Sequence, residues 1–273
     1  MKIQIGFSAE DSKNDDIVQS YPADIDTTAP RKSVVQVHFP TRNMTLAYYN
    51  DRFDLHRGDF VFVDGKLEGL RGRVVDVTYH FKIKLSEYKR VIAVVDTNVA
   101  GTFYLADSHL VAFDKDHLPY EKAMTWFFPP EQDDEEYVSG DDDAKFHLDH
   151  LDDMDIRAII AERGHDYYLS NKVVYISVDE TGKGRAIVEG TKPYSVEFDY
   201  ENDWISNLTC TCFCSYHCKH EFAAMLQLKE TLNLITKHYG DLYEAHGYFA
   251  AISKAVFMSF ALDGKECSSF TLN

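Results

Sequence analysis

At 273 residues, with 45% apolar and 14% aromatic content, the chain carries enough hydrophobic side chains for ordinary packed cores, which excludes general disorder. No run approaches about 18 consecutive apolar residues, which argues against a membrane-spanning helix. The formal net charge of −17 is concentrated, because residues 131–155 hold one basic and 12 acidic side chains. With no secretory-type start, the expected location is the cytoplasm.

Taken in chain order, residues 1–30 read as an N-terminal strand or tail, with Lys2 to Phe7 alternating apolar and polar before a polar stretch. Residues 31–128 read as a small β domain. Val35, Val37 and Phe39 alternate with polar residues, and Phe60 to Val63, Val75 to Leu85 and Val91 to Val95 follow as further short strands. Glycines at 58, 65, 69, 72 and 101 punctuate them. The text around Leu55, Gly58 and Val63, then Gly69, Gly72 and Val75, looks like the opening hairpin of an SH3-like barrel. The expected fold class is α+β, beginning with such a barrel or a bent sheet.

Within this domain, residues 66–90 gather Lys66, Arg71, Arg73, Lys82, Lys84, Lys89 and Arg90 against Glu68, Asp76 and Glu87, with Tyr79, His80, Phe81 and Tyr88 interleaved. Basic and aromatic side chains so mixed suit phosphates and stacked bases, which makes them the candidate nucleic-acid contacts. The plainer reading puts Lys82 and Lys84 on the solvent face of a strand whose Phe81, Ile83 and Leu85 face inward.

Residues 129–151 form an acidic linker, opened by Pro129 and Pro130, whose like charges repel and leave little apolar surface to bury. It is expected to divide the β domain from a second domain over 152–273. His147, Asp149, His150, Asp152 and Asp153 lack the thiolates and the i, i+4 pairing of a persuasive metal site.

The chemistry of the chain lies at Cys210-Thr-Cys212-Phe-Cys214-Ser-Tyr-His217-Cys218-Lys-His220, which places four of five cysteines within nine residues. A structural zinc ion takes four N/S ligands in a tetrahedron, and a Cys-x-Cys pair followed by Cys-x-His supplies them. Residues i and i+2 of an extended segment point the same way, so Cys210 and Cys212 suit one ion, joined by Cys218 and by His220 in the first turn of a helix. A second register uses Cys212 and Cys214 with Cys218 and His220. Helical spacing continues through Phe222, Ala223, Leu226, Leu232 and Ile235. Gly240 separates a second helical text over 241–262, and Cys267 reads as an isolated thiol.

This region resembles the SWIM-type zinc finger, whose pattern is Cys-x-Cys, a variable spacer, then Cys-x-His at the head of a helix. In the SWIM domains attached to bacterial Snf-family helicases the finger follows a helix, an Arg-Gly and several strands. The corresponding text here is 156–162, Arg163-Gly164, a tyrosine-rich strand at Tyr167-Tyr168, Val173-Val174, 186–190 and Tyr194-Ser195-Val196. The likeness spans about residues 152–230. Phe213 stands where a proline often follows the second cysteine, and Cys214 is additional. The resemblance implies a ββα-type finger holding one structural Zn2+ and serving protein or nucleic-acid interactions.

No Gly-x-x-x-x-Gly-Lys-Ser/Thr, Rossmann fingerprint or Gly-x-Ser-x-Gly elbow is present. A zinc closed by four protein ligands leaves no position for water, so a non-enzymatic role is expected. The expected function is a zinc-binding adaptor with a protein partner, such as an ATPase or helicase on a separate chain. Direct DNA or RNA binding is the alternative, against which the acidity of the chain weighs.

Overall fold

The computed structural model describes residues 30–130, 145–212, 214–263 and 269–273. The readings at Lys2 to Phe7, in most of the acidic linker and at Cys267 lie outside these residues. In order, the chain forms β1 (Ser33–Phe39), β2 (Met44–Asn50), β3 (Phe60–Val63), β4 (Gly72–Thr78), β5 (Val91–Val94), β6 (Ala100–Ala106), β7 (His109–Ala112) and α1 (Tyr120–Phe127). There follow β8 (Phe146–His147), α2 (Ala158–Leu169), β9 (Val173–Val178), β10 (Lys183–Glu189), β11 (Pro193–Glu201), β12 (Trp204–Cys210), α3 (Lys219–His246), β13 (Phe249–Ser253), α4 (Lys254–Asp263) and β14 (Ser269–Leu272).

The fold is α+β, with two sheets among the described residues. The smaller has the order β2-β1-β4-β3-β5. It bends until its two edge strands meet at one point, where Tyr49 N donates to Lys89 O at 2.9 Å. This is the expected bent sheet, and it does not close into a barrel. Val35, Val37, Phe39, Val61, Val63 and Val74 fill its concave side. The expected long strand stops at Thr78, so residues 79–84 carry Lys82 and Lys84 outside the sheet.

The larger sheet has the order β14-β6-β7-β13-β9-β10-β11-β12-β8. Its strands come from both sides of the acidic segment, and His109–Ala112 pairs antiparallel with Phe249–Ser253. The sheets therefore divide between β5 and β6 rather than at 129–151. One face packs on α2 and α3 through residues such as Ile176, Val188, Phe198, Leu228 and Ile235. The other meets α1, α4 and β3 through Tyr175, Ile187, Trp126, Phe257 and Phe62.

Two expectations are corrected here. Tyr167 and Tyr168 lie in the last turn of α2, not in a strand. Gly164, Tyr167 and Tyr168 recur at helical spacing and turn toward α3. A Cβ at Gly164 would come within 2.9 Å of Lys219 O and of Phe222, so the missing side chain is what lets the two helices approach. The helical text expected over 241–262 is broken by β13: α3 is capped at Gly247 (φ 62°), and after Tyr248 the five residues Phe249–Ser253 are a strand buried on both faces. A continuous apolar run suits a central strand as well as a helix, and only the free edges of β7 and β9 decide between them.

Candidate metal centre

The donors are brought together by the end of β12 and the start of α3. In strict alternation, Leu208 and Cys210 would face the opposite side of the sheet from Ile205. Asn207 resolves this as one extra residue in a β-bulge: its φ is 53°, and the β11–β12 register shifts between Glu197 and Asp199. Its amide donates to Asp199 Oδ2 at 2.7 Å. Leu208 and Cys210 are thereby turned onto the same face as Ile205, toward α3.

Beyond β12 the pairing continues for one residue, since Thr211 N donates to Ser195 O and Ser195 N to Thr211 Oγ1, both at 3.0 Å. This fixes the chain between Cys210 and Cys212. Cys212 O then accepts from Cys214 N at 2.8 Å, turning the chain back. Cys218 is the N-cap of α3. Its Sγ accepts from Glu221 N at 3.5 Å while Glu221 Oε2 accepts from Cys218 N at 2.8 Å, a capping box in which a thiol occupies the usual place of Ser or Thr. Glu221 Oε2 also meets His217 Nδ1 at 3.1 Å. The positive end of the helix faces the sulfurs, which favours thiolate.

The donor atoms of Cys210, Cys212, Cys218 and His220 all lie within 4.8 Å of one another, and this is the only such group among the described residues. His220 Nδ1 lies 3.7 Å from Cys210 Sγ and 3.7 Å from Cys218 Sγ. A tetrahedron with metal–sulfur bonds of about 2.3 Å has edges of about 3.8 Å, so the spacing suits one ion. The imidazole is held from outside: Tyr194 stacks on it with ring centroids 4.1 Å apart, and Tyr167 meets it edge-on at 5.5 Å. Tyr167 is anchored in turn by Lys219 Nζ at 2.7 Å. His220 Nε2 is buried without a hydrogen-bond partner, so Nδ1 is the nitrogen presented to the sulfurs. Cys214 is exposed and stands outside the group, so the arrangement matches the first register.

The cluster without a cation resists ionisation. Burial, then the neighbouring Cys218, pushes the Cys212 thiol up to about 12. Cys218 is raised by its contact with Cys210 and by burial. Burial, then Lys219, lowers His220 to about 4, which keeps the imidazole neutral as a metal ligand must be. A divalent ion would supply the positive charge that crowded thiolates lack.

The seven basic candidates of residues 66–90 do not converge. Arg71 turns inward, donating to Trp126 O with its guanidinium 4.3 Å from the Phe260 ring centroid. Arg73 lies over Phe60, and Arg90 pairs with Asp51 at 2.5 Å. Lys84 pairs with Glu87 at 3.1 Å, and the Lys89 stem covers Gly65. Lys66 and Lys82 are exposed. His147 and His150 have ring centroids 5.6 Å apart, with no third donor gathered to them among the described residues. Asn207 is the site residue that the motif did not reveal; its trace in the sequence is the three-residue step from Ile205 to Leu208 within a strand.

No family model matches the chain, and neither a curated protein nor a solved structure shows significant similarity to it.

Proposed function

We propose that this protein is a non-catalytic, zinc-binding interaction protein of the SWIM type, acting in the cytoplasm as an adaptor for a protein partner. An ATPase or helicase on a separate chain is the partner class that the resemblance suggests. The observation that carries the reading is the convergence of Cys210, Cys212, Cys218 and His220 at one end of the large sheet. Three sulfurs and one imidazole match structural zinc in number and softness, and four protein donors leave no place for a reacting water. The order of α2, strands β9 to β12, the cysteines and α3 supports the SWIM resemblance. When bound, the ion locks the β12 end to the α3 start and so fixes the surface around it.

Among the exposed residues there, Tyr216 is 77% accessible and Arg157 lies 6.0 Å from its ring, an aromatic and a cation of the kind that partner surfaces favour. Direct nucleic-acid binding through residues 66–90 draws less support, because Arg71 and Arg90 are engaged within the chain. The test is affinity purification of the native chain beside its Cys218→Ser variant. A protein partner should co-purify with the native chain and be lost with the metal. Nucleic acid bound below about 1 µM at physiological salt, and released by neutralising Lys66, Lys82, Lys84 and Lys89, would reject the adaptor reading.

A further inference from the structure

Cys214 is the described cysteine that the metal centre does not use, and it is also the exposed one. Cys210 and Cys212 are half-buried and Cys218 is buried. Once the other three thiols are committed to an ion, Cys214 is the sulfur of this cluster that a solvent-borne electrophile meets first. It does not stand alone. Cys214 N donates to Cys212 O at 2.8 Å, and a bond spanning so few residues draws the two Cα atoms closer than an extended chain would, toward the separation of about 4.4–6.8 Å that a disulfide spans. The two side chains are in hydrogen-bonding contact as well. Cys218, by contrast, is the buried N-cap of α3, and its Sγ is engaged by Glu221 N. An accessible thiol beside a second thiol able to resolve it is the arrangement that peroxide-sensing cysteines share.

We propose that Cys214 is a modification site for hydroperoxides, and that its oxidation unseats the metal by taking Cys212 out of the donor set. The inference rests on the zinc reading and not on any partner. In the first step the Cys214 sulfur attacks one peroxide oxygen: an S–O bond forms, the O–O bond breaks, and water or an alcohol leaves with the thiol proton. The sulfur is oxidised to a sulfenic acid and the peroxide is reduced. In the second step the Cys212 sulfur attacks the Cys214 sulfur: an S–S bond forms, the S–O bond breaks, and the departing hydroxide takes a proton from solvent to become water. Cys210, Cys218 and His220 remain, one donor short of a closed structural site. A dithiol reductant reverses the change, becoming a disulfide itself as the two thiols are restored.

The test uses the zinc-loaded full chain carrying Cys267→Ser, which leaves Cys214 as the one cysteine outside the four donors. Hydrogen peroxide is the probe, a chromogenic chelator reads the zinc released, and mass spectrometry maps the disulfide. Peroxide should produce a Cys212–Cys214 bond and release zinc about tenfold faster than from the same chain with Cys214→Ser added. Dithiothreitol with added zinc should restore occupancy. Equal release with and without Cys214, or a Cys210–Cys218 bond formed while Cys214 stays reduced, overturns the assignment. Failure of the zinc reading looks different, because the chain would then hold no stoichiometric zinc before any peroxide is added, and the inference would fall with it.

Discussion

The metal centre and the nest around Arg71 both place polar atoms inside the protein, and they do so by opposite means. At the candidate metal centre, four donors from an 11-residue stretch converge closely enough to hold one metal ion. At the nest, one guanidinium sits among the rings of Phe60, Phe127 and Phe260, elements far apart in the chain, and donates to Trp126 O. Burial lowers Arg71 to about 10, with Glu189 opposing, and the charge is retained near neutrality. The first arrangement is local and shaped to take an ion; the second is long-range and complete in itself. The contrast teaches that a short motif can specify a site's chemistry, while a side chain's environment is specified by whatever folds over it.

Removing the metal should separate the two most sharply. Structural zinc contributes about 10–16 kcal/mol of apparent binding energy in finger peptides, so chelation should unprotect the amides of residues 204–235 far more than those of β1 and β4. Hydrogen exchange with and without chelator measures this. Cys210→Ser, Cys212→Ser, Cys218→Ser and His220→Ala should each lose stoichiometric zinc by elemental analysis, while Cys214→Ser keeps it. Full occupancy in Cys210→Ser would remove that residue from the site.

Breaking the nest is the next largest effect. Arg71→Ala leaves Trp126 O without its donor and opens a void among three rings, and should cost about 3 kcal/mol in urea unfolding. Arg71→Met keeps the apolar stem and should recover part of that loss. Zinc content should stay at one per chain in both variants, and any fall in it would show the two regions to be coupled.

A pH titration sharpens the comparison further. His109 bonds Val173 O at 2.8 Å, and burial lowers its pKa to about 4 from the ordinary 6.5. The folded chain therefore favours the neutral ring, and between these values the unfolded chain binds the extra proton. The stabilisation is full above 6.5 and is lost as the pH falls toward 4, a total of about 3 kcal/mol at most. Acid also displaces the metal, so the reading is the difference between the native chain and His109→Gln, whose stability should fall less over this window.

The smallest effect concerns the bulge that aims Cys210. Asn207→Ala must hold a left-handed backbone without the bond to Asp199, and should cost about 1 kcal/mol, whereas Asn207→Gly should cost less. A zinc affinity lowered more in Asn207→Ala than in Asn207→Gly, measured by competition with a chelator, would show that the bulge positions the ligand.

The legible part of the molecule was the part whose causes are local. Cys-x-Cys followed by Cys-x-His named the four donors, because i, i+2 spacing and a helix start fix where such side chains go over a few residues. Period-two alternation likewise identified β1, and a short apolar run bounded by glycines identified β3. The strand expected at Tyr167 and Tyr168 came from the SWIM resemblance and not from the residues' own spacing, which continues the helix that packs on α3. Tertiary structure alone decided that Phe249–Ser253 is a strand, that β7 joins it across the acidic segment, and that Arg71 turns inward. Each of these depends on a free sheet edge or an apolar surface supplied by residues more than 50 positions away, and no local pattern encodes the presence of such a partner.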